Sequence, residues 1–500
     1  MFSLCDKIKA LTTTLIMLLS SLVSTQVFAG KVPAWKIVYG SAEGPEGSAL
    51  ELLTSDLGEI ILRESGVYAT HVLPLIHANE NGKSANVNAV IVGTVANNKE
   101  LAKYVKAKDV PKDGYLVRTL NEGARKLVLI AGDGPREVLW GAADFVMDGI
   151  MALRPNRGNN IKYASDVFFT DKPIGEYVSA RRPQTKVRSV FTWGHPIDDF
   201  RDYIRNLARL KFNRVYFWND YPPLNAAEIV DYAHRWGIEV YWGFAWGWST
   251  NCRETSARND DALIKGILDG WRNKWKKLPG DGIYFQTFTE TNDKLMEGET
   301  VAERAVRLVN RVSAEMLREE PQLKIVFGLH ATSVKRDMAT IAKTDPRIEI
   351  LWEDTANFPY SSAPIKISAA DGAKLTADVM ASKGHTIGIV WKSQLVQDWA
   401  NWTYQEGPFL MGVTSRRTFD NDVAIQDSMW KNYTAQWITK FPLAYAAARQ
   451  AHQRGEDFEL CVAAQLNGPL RLPTMLTAEL FWSSSDPAEK ILARVLDRNR

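Results

Sequence analysis

From residue 188 onward, short apolar segments alternate with longer segments whose apolar residues recur at helical spacing. This alternation predicts βαβ units with right-handed crossovers and a parallel sheet. The predicted strands are Arg188–Trp193, Arg214–Trp218, Glu239–Trp246, Gly282–Phe288, Lys324–Leu329, Ile348–Trp352 and Thr386–Trp391, with Leu460–Ala464 as the candidate eighth. Helices Asp198–Lys211, Asn225–Trp236, Asp260–Lys277 and Val301–Glu319 are predicted between the first five. The fold class is therefore α/β, a (β/α)8 TIM barrel.

The pattern before residue 180 is different, because strands and helices there follow no regular alternation. Strands are predicted at Trp35–Tyr39, Asn88–Val95, Tyr115–Thr119 and Lys126–Ala131, and helices at Ala49–Glu64 and from Gly134-Pro135 to Met147. Such a mixture predicts a small α+β N-terminal domain over residues 30–180. The basic, proline-containing segment Lys172–Lys186 is predicted to be a linker to the barrel, residues 181–500.

Residues 1–29 have the pattern of a secretion signal peptide. Lys7 and Lys9 precede a short apolar run from Leu11 to Val23, and Val27-Phe28-Ala29 resembles a cleavage site. We therefore expect a periplasmic or extracellular protein with no membrane association after cleavage. A membrane anchor is the alternative interpretation, although the apolar run is short and rich in Ser and Thr.

Composition narrows the class of function. The 500 residues are 45% hydrophobic and 24% charged with a net charge of +3, so we expect no nucleic-acid partner. The seven histidines are scattered without ligand spacing, so we expect no metal and no cofactor. The sequence contains no G-x-S-x-G motif, which would indicate a serine hydrolase, and no G-x-G-x-x-G motif, which would indicate a dinucleotide site. A disulfide between Cys252 and Cys461 and the oligomeric state stay open.

Tryptophan is unusually frequent. The chain has 17, and 14 of them lie between Trp193 and Trp437. Some are expected in the core, and others are expected to be flat platforms for sugar rings near the strand ends.

The carboxyl ends of the predicted barrel strands carry polar and aromatic residues. These ends meet at one mouth, where TIM barrels place their catalytic groups. The residues that we select as substrate-binding candidates are Trp193, His195, Asp220, Trp246, Trp248, Asn292, His330, Lys392, Trp399, Trp402 and Tyr404. Any one of them has a structural explanation, such as a helix cap for His195 or an ordered turn for Asp220. Together they favour a carbohydrate as the partner.

Carboxylates at two strand ends are the catalytic candidates. Glu290 follows the fourth predicted strand, and Glu353 and Asp354 follow the sixth. Glycosidic bonds are cleaved by one carboxylic acid that protonates the leaving oxygen and a second carboxylate that acts as base or nucleophile. We expect Glu290 to be the acid, with a pKa raised by Phe288 and nearby tryptophans, and Glu353 or Asp354 to be the base.

The order of domains also resembles known glycoside hydrolases. Val90–Thr94, Leu127–Asp133 and Leu139–Ala142 in a small α/β domain before a (β/α)8 barrel look like the N-terminal half of bacterial α-glucuronidases and β-N-acetylhexosaminidases. The resemblance to the hexosaminidases implies an acidic pair after the fourth strand, but Thr289 stands where the first member would be. The lone Glu290 is closer to the α-glucuronidase arrangement.

The α-glucuronidase resemblance implies an exo-acting, inverting enzyme that removes a terminal uronic acid. An inverting pair of carboxyl groups is about 6.5–9.5 Å apart, and a retaining pair is about 5–5.5 Å apart. A uronic acid would need a cation, for which Lys392, Arg253 and Arg416 are candidates. Two alternatives remain: a retaining, substrate-assisted β-N-acetylhexosaminidase and a non-catalytic carbohydrate-binding protein.

Overall fold

Two β-sheets organise the chain. The computed structural model describes residues 35–65, 73–80, 87–153, 166–169, 171–192, 196–247, 260–289, 291, 295–296, 298–330, 334, 337–353, 386–394, 407–412, 420, 423–424, 441–464, 468 and 470–498. The first sheet belongs to an N-terminal module, and the second is a closed barrel.

The N-terminal module contains a six-stranded mixed sheet. Its strands are β1 (Trp35–Tyr39), β2 (Leu75–His77), β3 (Asn88–Thr94), β4 (Tyr115–Glu122), β5 (Arg125–Gly132) and β6 (Val178–Arg181), in the spatial order β2-β1-β3-β5-β4-β6. Strands β2, β1, β3 and β5 are parallel, whereas β4 is antiparallel to β5 and β6. The module's helices are Gly44–Ser65, Pro135–Asp144, Ile150–Leu153 and Asp166–Phe169, and one-turn helices span Leu101–Lys103 and Ala107–Asp109. This mixed sheet confirms the predicted α+β fold.

Strand β6 lies within the segment that the sequence predicts to be a linker. Residues 115–118 of β4 pair with β6 over its whole length, Val178–Arg181. In β6 the apolar Val178 and Ala180 are exposed, whereas the polar Ser179 between them is buried. The usual pattern of buried apolar residues is therefore missing from this segment. An edge strand buries too little apolar surface to show a clear pattern.

The barrel is closed by eight parallel strands. They are β7 (Arg188–Phe191), β8 (Arg214–Trp218), β9 (Glu239–Ala245), β10 (Gly282–Gln286), β13 (Ile325–His330), β14 (Ile348–Glu353), β15 (Thr386–Gln394) and β16 (Glu459–Ala464). A short hairpin of β11 (Leu295–Met296) and β12 (Glu299–Thr300) follows β10. The closed barrel confirms the predicted fold, and β16 contains the candidate eighth strand.

Helices connect the strands as the periodicity predicts. The helices of the barrel region are Phe200–Arg209, Ala226–Arg235, Asp260–Gly270 with its continuation Trp271–Trp275, Val301–Glu319, Met338–Ile341, Leu472–Ser483 and Ala488–Arg498, and residues 441–453 are also helical. The bounds of Val301–Glu319 equal the predicted ones because its start is strongly marked. Thr300 accepts a hydrogen bond from the Glu303 amide at 3.1 Å, and Glu303 accepts one from the Thr300 amide at 3.0 Å, which is a capping box.

Side chains of the barrel strands alternate between two apolar layers. The outward residues pack against the surrounding helices, for example Phe285 and Phe327, whose rings stack at 4.8 Å. The inward residues fill the barrel with the cluster Phe191, Tyr216, Trp218, Tyr241, Tyr284, Val326, Leu351, Val390, Cys461 and Ala463. The period of two along each strand produces this division.

Large inward rings need space inside a small barrel, and glycines on neighbouring strands supply it. A Cβ atom at Gly282 would lie 2.7 Å from Cδ1 of Tyr241, and one at Gly328 would lie 2.7 Å from Cε2 of Tyr284. Both distances are too short for carbon atoms that are not bonded. Each ring therefore lies across the next strand only because that strand has a glycine beneath it.

The N-terminal module and the barrel share one continuous apolar core. At the interface, Arg209 makes two hydrogen bonds to Asp56 at 2.8 and 2.7 Å. Lys211 is buried there, with Nζ 3.2 Å from the Tyr115 hydroxyl and 3.6 Å from Asp144. These contacts join the two modules tightly.

Candidate functional site

The candidate site is at the carboxyl ends of the barrel strands. Of the residues that the sequence selects, the structure describes Asp220, Trp246, His330 and Glu353, together with the strand position of Lys392. The others lie outside the described residues: Glu290, Asp354, Trp193, His195, Trp248, Asn292, Trp399, Trp402 and Tyr404, with the candidate cations Arg253 and Arg416.

Glu353 is the last residue of β14, and its side chain points into the barrel. Its neighbour Trp352 points outward into the helical layer, as expected for adjacent strand residues. The Glu353 side chain is fully buried. Its Oε1 atom accepts hydrogen bonds from the Tyr284 hydroxyl and from Nε2 of Gln286. Of the two candidate bases on this strand, Glu353 is the one described, and it is inside the barrel.

Tyr284 and Gln286 lie on β10, which is not adjacent to β14. Strand β13 separates the two. Nε2 of Gln286 also donates to the Tyr284 hydroxyl oxygen at 3.2 Å, so the three side chains form a closed triangle of hydrogen bonds. Burial and the nearby Glu353 charge raise the pKa of Tyr284 well above its usual value, so the phenol keeps its proton and remains a donor.

Aromatic rings hold Tyr284 from the other side. The centroids of Phe191 and Tyr216 are each 5.0 Å from that of Tyr284, and Trp218 is at 6.1 Å. These contacts are inside the barrel and exclude water from the triangle. In such an environment hydrogen bonds to a carboxylate are strong.

His330 ends β13 beside Glu353. The two residues are register partners on adjacent strands, and His330 is 6% exposed. Its place in the alternation directs it to the barrel interior. The structure therefore brings together the residues selected from the ends of the fifth and sixth predicted strands.

Strand β10 ends two residues earlier than predicted. The Thr287 hydroxyl donates to the Trp246 carbonyl oxygen at 2.8 Å, and the Thr289 amide donates to the Thr287 carbonyl oxygen at 2.8 Å. This turn ends the ladder, and Thr289 is fully buried within it. Glu290 is the next residue in the sequence and lies outside the described residues.

Phe288 does not face the barrel interior. Its ring is buried in the outer layer, with the Arg304 guanidinium carbon 5.0 Å from the ring centroid. Arg304 belongs to the surrounding helix Val301–Glu319. The turn after β10 directs Phe288 outward. Its expected effect on the pKa of Glu290 stays a prediction, because Glu290 lies outside the described residues.

Trp246 is also in the core. It is fully buried and stacks on Phe285 with centroids 3.6 Å apart. Its ring has no face left for a sugar, so its selection as a platform is corrected. Every tryptophan in the part of the chain that the structure describes is buried. That tryptophans outside the described residues form platforms for sugar rings stays a prediction.

Asp220 follows β8 and is exposed. The turn after this strand is ordered by its neighbour, because Oδ1 of Asn219 accepts a hydrogen bond from the Tyr221 amide at 2.9 Å. Asn219 therefore contributes to the ordered turn that the sequence analysis considers for Asp220. Tyr221 is an exposed aromatic residue in the same turn, which the sequence analysis did not select.

The sequence analysis also missed Tyr284 and Gln286. A signal was present, because Gln286 is a polar residue at an inward position of an otherwise apolar strand. A buried amide needs a partner, and its presence there predicts a polar group across the barrel.

A second polar cluster lies at the amino ends of the strands. Glu459 accepts hydrogen bonds from Ser189 at 2.5 Å, Tyr216 at 2.8 Å and Arg214 at 2.9 Å. All four residues are buried. In TIM barrels this end contributes to stability, whereas the opposite end carries the chemistry. We therefore assign this cluster to the packing of the barrel floor.

Among the described residues, no group of histidine, cysteine and carboxylate side chains could hold a metal ion. No helix in that same part of the chain is both long enough and apolar enough to cross a membrane. Cys461 is buried as a free thiol inside the barrel, and Cys252 lies outside the described residues.

Comparisons with known proteins concern both modules. Residues 71–145 match the family model described as the glycosyl hydrolase family 67 N-terminus. The matched residues include β2 to β5 and all of helix Pro135–Asp144. The chain matches no curated protein sequence. This part of the N-terminal module is therefore similar to the N-terminus of that family.

Two solved structures match the chain beyond the N-terminal module. A structure described as "Structure of CpGH84B" matches with a TM-score of 0.50 and 13% identity, over 93% of this chain and 70% of the other. "Structure of CpGH84D" matches with a TM-score of 0.40 and 11% identity, over 72% and 56% of the two chains. At such identity the first likeness bears on the fold alone.

Proposed function

We propose that this protein is a glycoside hydrolase. The observation that carries the proposal is Glu353, a buried carboxylate directed into the interior of a closed parallel barrel at the carboxyl end of its strand. Catalytic groups of TIM-barrel enzymes lie at this end. The match of residues 71–145 to the N-terminal domain of a glycosyl hydrolase family supports the proposal.

The mechanism that we propose uses two carboxyl groups. Glu290 donates a proton to the leaving glycosidic oxygen, and Glu353 or Asp354 at the end of β14 acts as the base. Thr289 occupies the position before Glu290 and is neutral and buried, which disfavours a second carboxylate there. A water molecule is then the nucleophile, and the reaction inverts the anomeric centre.

We propose an exo-acting enzyme with a preference for terminal uronic acids. Lys392 on β15 is a candidate cation for the uronate, together with Arg253 and Arg416.

The substrate is carbohydrate, and the signal-like residues 1–29 motivate the further proposal that the protein is exported. N-terminal sequencing of the exported protein should begin at Gly30, and an uncleaved N-terminus would contradict this part of the proposal.

The decisive experiment is hydrolysis of natural oligosaccharides. The wild type should release the terminal sugar from glucuronic acid-containing oligosaccharides, and Glu290→Gln should lower the rate by roughly a hundredfold or more. Glu315→Gln is the control, because Glu315 is an exposed carboxylate paired with Arg318 on a surrounding helix. NMR of the first product should show inversion. Oligosaccharide binding without hydrolysis after long incubation would refute the enzyme and favour a binding protein.

A further inference from the structure

One oxygen of Glu353 is held by two donors from the same strand. The Tyr284 hydroxyl and the Gln286 amide both reach Oε1 across β13. The two residues occupy consecutive inward positions of β10, so the strand's alternation places them one above the other. Their arrangement is thus built into the barrel.

The hydrogen atoms of this triangle can be assigned from chemistry. Nε2 of Gln286 donates towards Oε1 of Glu353 and towards the Tyr284 hydroxyl oxygen, which lies at 3.2 Å, and it has no lone pair with which to accept a hydrogen bond. The Tyr284 hydroxyl then donates its only hydrogen to Glu353. Oε1 therefore accepts two hydrogen bonds and carries no proton itself.

We infer that Tyr284 and Gln286 are positioning residues that fix the Glu353 carboxyl group at the end of β14 and stabilise its negatively charged form, as the base of the catalytic pair requires. This inference rests on the proposed function for its catalytic meaning. Hydrogen bonds to the charged form of a carboxyl group stabilise that form. They offset the cost of burying the charge, which would otherwise favour a neutral acid.

Gly328 makes the arrangement sterically feasible. It lies on β13, between the donors and the acceptor, and a Cβ atom there would overlap the Tyr284 ring. Without that space the phenol could not extend over β13 to β14. Three strands therefore contribute to one interaction. Strand β10 provides the two donors, β13 provides the space above Gly328, and β14 provides the carboxyl group.

Among the described residues, three other titratable groups lie close to Glu353. His330 on β13 is its register partner, and Tyr284 on β10 is its donor. Cys461 on β16 is buried, and burial together with the charges of Glu459 and Glu353 raises the pKa of its thiol well above the usual value. On β15, the register partner is the apolar Val390. The thiol and the phenol therefore both stay neutral at ordinary pH.

The test measures the protonation of Glu353 directly. Infrared spectra of the wild type and of Tyr284→Phe are recorded as a function of pH, each minus the spectrum of the same protein with Glu353→Gln. Removal of one donor should move the protonation midpoint of Glu353 upward by roughly one to two pH units, since a hydrogen bond to a charged group contributes about 1.5–3 kcal/mol. Gln286→Met should shift the midpoint in the same direction, and it tests the inference even if Tyr284→Phe fails to fold.

Tyr241→Phe is the matched control. Tyr241 lies on the adjacent strand β9, points into the barrel and covers Gly282 as Tyr284 covers Gly328. Its buried hydroxyl has no hydrogen-bond partner among the described residues. Its loss should leave the Glu353 midpoint unchanged. A shift as large as that of Tyr284→Phe would overturn the inference, because it would show a general effect of altered packing.

Activity gives a second readout. The acidic limb of the kcat/KM profile should move to higher pH in Tyr284→Phe and Gln286→Met, because the carboxylate loses a donor that stabilises its charge. Folded variants with an unchanged midpoint and an unchanged limb would overturn the inference. If the wild type hydrolyses no glycan, the proposed function fails, but the infrared titration still decides whether Tyr284 and Gln286 stabilise the charged form of Glu353.

Discussion

Gly328 lies directly beneath the phenol ring of Tyr284 and provides the space through which that residue reaches across the barrel. A Cβ atom at Gly328 would be 2.7 Å from Cε2 of the ring and would overlap the hydroxyl end as well. The hydroxyl continues past β13 to Glu353 on β14. A residue without a side chain therefore determines whether the candidate catalytic carboxylate keeps its donor.

Gly328→Ala should displace Tyr284 and weaken its hydrogen bond to Glu353. We expect a loss of about 1–3 kcal/mol in the free energy of unfolding, which is typical of overpacking in a filled core. The activity should fall roughly ten- to a hundredfold, because small displacements at a catalytic centre have large effects. Chemical denaturation and steady-state kinetics measure the two effects.

Gly266→Ala is the control for this substitution. Gly266 lies in helix Asp260–Gly270, and a Cβ atom there would meet no atom within 4 Å. Alanine should stabilise the helix by roughly 0.5–1 kcal/mol and leave activity unchanged. Equal losses of activity in the two alanine variants would contradict the importance of the gap at Gly328.

Trp246→Phe should affect stability and not substrate binding. The indole is fully buried against Phe285, so a smaller ring leaves a cavity that costs about 1–3 kcal/mol. The KM of the folded variant should equal that of the wild type. A tenfold higher KM at unchanged melting temperature would instead show that Trp246 contacts the sugar.

Glu479→Gln should strongly destabilise the protein. Glu479 is 3% exposed and contacts three guanidinium groups, those of Arg181, Arg494 and Arg498. These arginines come from β6 and from the C-terminal helix Ala488–Arg498, so the carboxylate joins the N-terminal module to the end of the chain. Removal of one member of a buried ionic cluster costs about 3–5 kcal/mol.

Glu456→Gln is the corresponding control at the surface. Glu456 pairs with Arg182 at 3.0 Å, and both side chains are substantially exposed. Exposed pairs contribute about 0–1 kcal/mol, so its melting temperature should stay close to that of the wild type. Similar destabilisation by both substitutions would contradict the special position of Glu479.

Lys211 should make the stability depend on pH between about 8 and 10. Burial lowers the pKa of Lys211 from 10.5 to about 8. In this range the folded protein has lost the proton that the unfolded chain retains, so the unfolded state binds more protons and stability rises with pH. The slope from this group is at most about 1.4 kcal/mol per pH unit. Below pH 8 both states are protonated, and the contribution is constant.

Denaturation of the wild type and of Lys211→Met at several pH values tests this sign. The difference in the free energy of unfolding between the two proteins should change in favour of the wild type as pH rises from 8 to 10. The raised pKa of nearby Tyr115 has an opposite effect on stability towards pH 10, but it is present in both proteins and therefore largely cancels in the difference. A difference that is constant over this range would show that Lys211 does not titrate there.

The sequence by itself determined the architecture. Periodicity placed all eight barrel strands, including Leu460–Ala464, because each strand is a short apolar run between segments of clear helical spacing. The helix Val301–Glu319 was predicted with its bounds because its capping box is a local signal between Thr300 and Glu303. Local patterns of this kind are visible in the chain without knowledge of its neighbours. The inward direction of Glu353 follows only in part, since the sequence predicts Glu353 or Asp354 as the base without choosing between them.

Tertiary structure decided which side chains meet. Tyr284, Gln286 and Glu353 are brought together from strands that are not adjacent, 67 to 69 positions apart in the chain. Trp246, which the sequence predicts to be a sugar platform, is buried in the outer layer because its ring stacks on Phe285. The sequence predicts a linker where β6 lies, because this segment has no apolar pattern of its own. Its pairing with β4 makes it a strand. Hydrogen bonds and packing between distant segments depend on closure of the barrel, and no local pattern contains that information.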